Sequence, residues 1–169
     1  MCSSDLGARA AVDFLADLGE PEAGTGAGTQ ADSASAAPTG NVNGRRARLV
    51  TALARIEAHE DALRHRIEQG LAELDGVTVH SRAARRTPTL LLTIDGHAAA
   101  DAYRHLAERK VHAPAGSFYA VEPSRRLGLG DTGGLRVGLA PYNDAEDVER
   151  LLTGLADFLA TDGRTADGR

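Results

Sequence analysis

Arg136 sits inside a short apolar run, Leu135-Arg136-Val137-Gly138-Leu139, and is the residue here with the clearest chemical potential. Burying a guanidinium is costly unless an anion meets its planar fork. The residue therefore points to a ligand carboxylate, or else to an internal salt bridge or an exposed strand face. Nucleophiles are scarce: of 19 basic residues only Lys110 is a lysine, and Cys2 is the sole cysteine. A disulfide within the chain and a zinc site built on several cysteines are thereby excluded. The 6 histidines, at 59, 65, 80, 97, 105 and 112, show no HExxH pattern. His59 and His65 fall on different faces of a helix, so no metal site is expected. Ser117, in Ala115-Gly116-Ser117-Phe118-Tyr119, lacks the second glycine of a nucleophile elbow. The run GLGDTGG at 128–134 holds a G-x-G but precedes a strand, so it reads as a connection and only weakly as a phosphate cradle.

Composition narrows the partners. The chain has 169 residues, 42% of them hydrophobic and 25% charged, which suits one domain of ordinary size. A net charge of −5 argues against nucleic acid, and the cluster Arg82, Arg85, Arg86 reads as a solvated strand edge. No run approaches the ~20 apolar residues of a membrane span. The N-terminus lacks a signal peptide's basic start and apolar stretch, so a cytoplasmic setting is expected.

The elements that must position Arg136 follow from periodicity. Residues 7–19 read as a short helix closed by Gly19, and residues 20–44, rich in glycine, as a flexible linker. From Arg45 to Leu74, Leu49, Leu53, Ile56, Leu63, Ile67, Leu71 and Leu74 recur at three- and four-residue steps of one long helix. Gly70 weakens its last turns, where a bend is expected. Strands are expected at Val77–His80, Thr89–Ile94, Val111–Ala113, Ser117–Val121 and Leu135–Leu139, with a helix over 97–109. The last helix starts at Asn143 in a capping box with Glu146, and its stripe is Val148, Leu151, Leu152, Leu155, Phe158 and Leu159. The tail 161–169 is polar and expected to fray. The order describes an α+β fold, a small sheet of about four strands with helices on one face.

The run GGLRVGLAPYNDAEDVERLLTGLADFL at 133–159 resembles the end of class V aminotransferases and cysteine desulfurases, pyridoxal phosphate (PLP) enzymes of fold type I. RTPT at 86–89, AGSFYA at 115–120 and LGL at 127–129 resemble the cysteine desulfurase-like subgroup. The likeness covers 45–160, and AAVDFLADLG at 10–19 resembles the helix leading out of the family's large domain. It implies that 45–160 is the small C-terminal domain and that 7–19 is a remnant of the large one. Arg136 would bind the α-carboxylate of an amino acid substrate. Gly116 and Tyr119 would lie on the loop that carries the nucleophilic cysteine in true desulfurases, and no cysteine stands there.

The cofactor lysine, the acidic partner of the pyridine nitrogen and the phosphate site belong to the large domain. Lys110, at a helix end, reads instead as a solvated charge favourable to the helix dipole. The resemblance thus implies the end of a truncated enzyme with a homodimeric, PLP-dependent parent, inactive alone and without covalently bound PLP. MCSSDL at 1–6 matches nothing in the family and reads as an artificial start. Two other readings stay open: a stand-alone carboxylate-binding or subunit-interaction module, and a phosphate-binding domain using GLGDTGG.

Overall fold

The computed structural model describes residues 3–19 and 42–166, with side chains at 7–19 and 44–161. Most of the expected linker and the last three residues of the tail lie outside the described residues. The chain divides into two compact units at Ala58/His59. In the first, helix α1 (Ser3–Asp17) meets the opening turns of helix α2 (Val42–Ala72). Small residues allow the approach: Ala16 and Ala52 are fully buried, and a Cβ on Gly19 would lie 2.1 Å from the carbonyl of Arg48. An Arg45–Asp13 ion pair and an Arg55 bond to the Leu18 carbonyl add to it. Both helices start earlier than periodicity indicated, α1 within residues 1–6 and α2 three residues before Arg45.

The second unit carries the sheet. Strands β1 (Val77–Val79), β2 (Thr89–Ile94), β3 (Ala115–Gly116) and β4 (Gly134–Gly138) pair antiparallel in the order β1-β2-β4-β3. Period-two alternation sends Leu90, Leu92 and Ile94 of β2, and Leu135 and Val137 of β4, into one core. That core is closed by Leu63, Ile67 and Leu71 of α2, by Ala102 and Leu106 of helix α3 (Ala99–Glu108), and by Val148, Leu151, Leu155 and Phe158 of helix α5 (Ala145–Ala166). The α+β expectation, with a four-stranded sheet and these helices on one face, is met.

Three local readings need correction. Val111–Ala113 is irregular and the strand falls at Ala115–Gly116, because the chain leaves α3 through a Schellman turn: Lys110 N–H donates to Ala107 and Val111 N–H to Leu106. Ser117–Val121 is a turn leading into helix α4 (Val121–Arg126), whose Pro123 stands in the first turn, where a missing N–H costs nothing. The α5 cap is Asp144, one residue after Asn143: its Oδ1 accepts from the N–H groups of Glu146 and Asp147, and Asp147 reaches back to the Asp144 N–H. Gly70 marks a close approach inside a continuous helix, since a Cβ there would lie 2.3 Å from Leu152 Cδ1.

Lys110 holds a left-handed φ of 61° at the position where such a turn favours glycine. Lys110→Gly is therefore expected to raise the unfolding free energy by about 0.5–1 kcal/mol, seen as a higher urea midpoint. An unchanged or lower midpoint would contradict this reading of the helix end.

Asn143 ties the segment after β4 to α5. Its Oδ1 accepts from Ala140 N–H at 2.8 Å and its Nδ2 donates to Asp147 Oδ2 at 2.9 Å. This bond, with the Asp144 N–H and Arg150, holds the Asp147 carboxyl below the usual carboxylate range. A lowered folded-state pKa stabilises above the ordinary carboxylate value, and the gain is lost as pH falls through the folded value. In a carboxyl-carbon NMR titration, Asn143→Ala is expected to move the Asp147 midpoint upward. An unmoved midpoint would remove Asn143 as the main cause.

Candidate active-site face

Arg136 occupies the middle of β4, an interior strand. Its neighbours Leu135 and Val137 are buried, so alternation turns Arg136 onto the sheet face opposite the core. Leu91 is its direct cross-strand partner in β2, and the Arg136 N–H donates to the Pro114 carbonyl at 2.9 Å. The guanidinium lies 4.2 Å above the Phe118 ring, a cation–π stack that orients the fork while leaving its edge open. Among the described residues no carboxylate pairs with Arg136. Arg136 is exposed, so of the options open from sequence the structure shows the exposed strand face, and the internal salt bridge is not formed.

Phe118 reaches that position through a turn that its residue types disfavour. Ala120 N–H donates to the Ser117 carbonyl at 2.8 Å, and both central residues have positive φ, 53° at Phe118 and 63° at Tyr119. Glycine, asparagine and aspartate normally fill such a turn, so two aromatic residues there mark local strain held by the surroundings. The restraint comes from Gly116 (φ 155°) and Gly133 (φ 70°), whose backbones touch: a Cβ on Gly133 would sit 2.0 Å from the Gly116 carbonyl oxygen. The turn leaves the Tyr119 side chain fully exposed. Gly116 and Tyr119 thus share one loop beside Arg136, with Phe118 as the residue in contact.

Five of the six histidines have structural roles, and His65 is exposed. His59 Nε2 bonds the Asn143 carbonyl, His80 bonds Thr93, His97 and His105 pack against Phe158, and His112 packs against Tyr103. Among the described residues no group of histidine, cysteine and carboxylate side chains could hold a metal. No histidine or carboxylate bonds the Ser117 hydroxyl among them either. In GLGDTGG, Arg125 grips both Asp131 oxygens, Ser124 Oγ donates to the Gly130 carbonyl and Thr132 to that of Leu129. An aspartate at the centre, with Gly133 and Gly134 packed against neighbouring backbone, does not make a phosphate cradle. Lys110 lines a cavity of about 330 Å³ that includes core residues Ile67, Val137 and Val148, away from the Arg136 face.

Residues 44–151 match the family described as Aminotransferase class-V. The chain belongs to the class-V aminotransferase family. Among curated relatives, probable cysteine desulfurases of Pseudomonas aeruginosa and Pseudomonas putida are 35% and 34% identical over 102 and 100 residues. These alignments cover 60% and 59% of this chain and 24% of each relative, so the chain spans about a quarter of their length. The crystal structure of the cysteine desulfurase CsdA from Escherichia coli matches with a TM-score of 0.58 and 26% identity, covering 73% of this chain and 32% of that one. The cysteine desulfurase of Thermococcus onnurineus shares the fold, with a TM-score of 0.62 at 24% identity over 70% of this chain and 29% of that one.

Membership of the class-V aminotransferases implies PLP as the family's cofactor. Among the described residues no helix is long and apolar enough to cross a membrane. Sequence reasoning missed Phe118 and Leu91 as Arg136's neighbours. The register of β2 on β4 was the signal for Leu91; Phe118 had none, because its placement depends on the positive-φ turn.

Proposed function

We propose that this chain supplies the small C-terminal domain of a homodimeric, PLP-dependent amino acid enzyme, with Arg136 as the anchor for the substrate α-carboxylate. The observation that carries this reading is an interior-strand arginine backed by Phe118 and, among the described residues, without a carboxylate partner. A guanidinium so placed accepts a carboxylate through two parallel N–H···O bonds. The exposed apolar side chains of the first unit, Phe14, Leu18, Val50 and Leu53, support the presence of a larger body that covers them.

PLP supplies an electron sink for bonds at the amino acid α-carbon. The residues here do not fit its anchorage, since the sole lysine, Lys110, ends α3 and borders a cavity away from the Arg136 face. The role proposed for this chain is therefore binding and orientation, and the chain alone is inactive. The loop beside Arg136 offers Ser117, Phe118 and Tyr119 and no thiol, which supports a parent reaction that does not load sulfur onto a cysteine there.

Calorimetry with L-alanine and L-cysteine tests the anchor. Arg136→Ala is expected to weaken binding at least tenfold, and Arg136→Lys to keep part of it as a point charge without the fork. Equal binding by wild type and Arg136→Ala would end the proposal. A stoichiometric borohydride-fixed PLP label on Lys110 would overturn the inactivity of the isolated chain.

A further inference from the structure

Beside Arg136 lies a hollow of about 130 Å³ that the carboxylate reading does not use. Its walls include Leu91, Phe118, Pro123, Leu127 and the backbones of Gly116 and Gly134. Two of these belong equally to the arginine: Leu91 is its cross-strand partner, and the Phe118 ring lies under its guanidinium. An anion acceptor and an apolar hollow are thus contiguous on one sheet face.

The surface of the hollow is mostly hydrocarbon and backbone, with Ser117 and Ser124 also among its lining residues. Its buried hydroxyl, Ser124 Oγ, is committed to the Gly130 carbonyl at 2.7 Å. The floor cannot recede, because Gly133 touches the Gly116 backbone and a Cβ on Gly134 would already stand 3.0 Å from Leu91 Cδ1. A cavity of ~150 Å³ takes a benzene-sized group, so the hollow suits a somewhat smaller one, of about four non-hydrogen atoms. A polar side chain entering it would exchange part of its water for walls that offer few hydrogen-bond partners.

We propose that this hollow is a selectivity subsite that receives a small aliphatic side chain, of up to about four carbons, from the carboxylate ligand held by Arg136. The proposal rests on the carboxylate reading of Arg136 and adds the substrate class: short apolar amino or keto acids. Larger aromatic and polar side chains are excluded.

The test uses the full chain, ¹⁵N-labelled, titrated with acetate, butyrate, isovalerate and hexanoate while the Gly116, Gly133 and Gly134 amides are followed. Affinity is expected to rise about tenfold from acetate to isovalerate and to gain nothing further with hexanoate, since only part of the apolar area is removed from water. Arg136→Ala is expected to lose the whole series. Leu127→Ala, at a half-exposed wall whose truncation spares the core, is expected to reduce the isovalerate-to-acetate ratio at least threefold. Acetate binding without a gain for isovalerate would overturn the subsite and leave the arginine reading standing. A steady rise through hexanoate, the mark of unspecific adsorption, would also overturn it. Failure of every carboxylate to bind would remove both readings.

Discussion

Gly133→Ala is expected to unfold much of the loop beside Arg136 and to cost the domain about 4 kcal/mol. A methyl group there meets backbone on three sides, with the Gly116 oxygen at 2.0 Å, the Gly116 carbon at 2.2 Å and the Ser117 nitrogen at 2.5 Å. None of these atoms can rotate away, and the φ of 70° adds the left-handed penalty of ~1–2 kcal/mol. The loop must leave β4, and Phe118 then leaves the guanidinium. Gly130→Ala is the control: its φ is 60°, yet nothing lies within 4 Å of the added carbon. The control is expected to cost only the conformational part, about 1 kcal/mol. Urea unfolding of both variants, with the Phe118 amide shift as local readout, decides the matter. Equal losses would show that backbone contact at Gly133 is not what holds the loop.

Leu92→Ala is expected to cost about 3 kcal/mol, within the range for a buried leucine that leaves a partly relaxed cavity. Leu92 is fully buried and sits between Val79 of β1 and Leu135 of β4, so three strands share the void. Little can collapse into it, because the backbone of a four-stranded sheet is fixed by its ladders. Leu91→Ala, one residue away on the half-exposed opposite face, is expected to cost less than half as much. Denaturation of both should shift the midpoint while the slope stays constant. A larger loss at Leu91 would reverse the assignment of the two sheet faces.

Those faces were legible in the sequence where periodicity is long. The α5 stripe from Val148 to Leu159 carries enough repeats to show which side is buried, Thr89–Ile94 reads as a buried strand, and Arg136 stands out within the apolar run Leu135–Leu139. Short elements are different. The six residues of α4 contain a proline and two arginines, no apolar stripe can form over that length, and its position depends on turns either side. The α5 cap moved by one residue because Asn143 and Asp144 are both good capping types, and only the turn made by Asn143 with Ala140 frees Asp144 for the cap.

Within the candidate site the arginine was readable and its setting was not. Phe118 and Tyr119 adopt a backbone conformation that their own preferences oppose, imposed by two glycines meeting from distant parts of the chain. Local sequence cannot report such an override. The long α2 stripe was over-read: Leu53 follows the helical period yet is 54% exposed, and the α2 residues in the core of the second unit start at Leu63.

The rims of the sheet carry one more consequence. Its outermost strands, β1 and β3, are three and two residues long. Beyond β1 come the exposed Arg82 and Arg85, and β3 gives way at once to the Phe118–Tyr119 turn. Such stubs offer few free peptide groups to an incoming chain, and the charge beside one and the turn beside the other deter continuation. A second unit built this way offers copies of itself little backbone from which to extend a continuous ribbon.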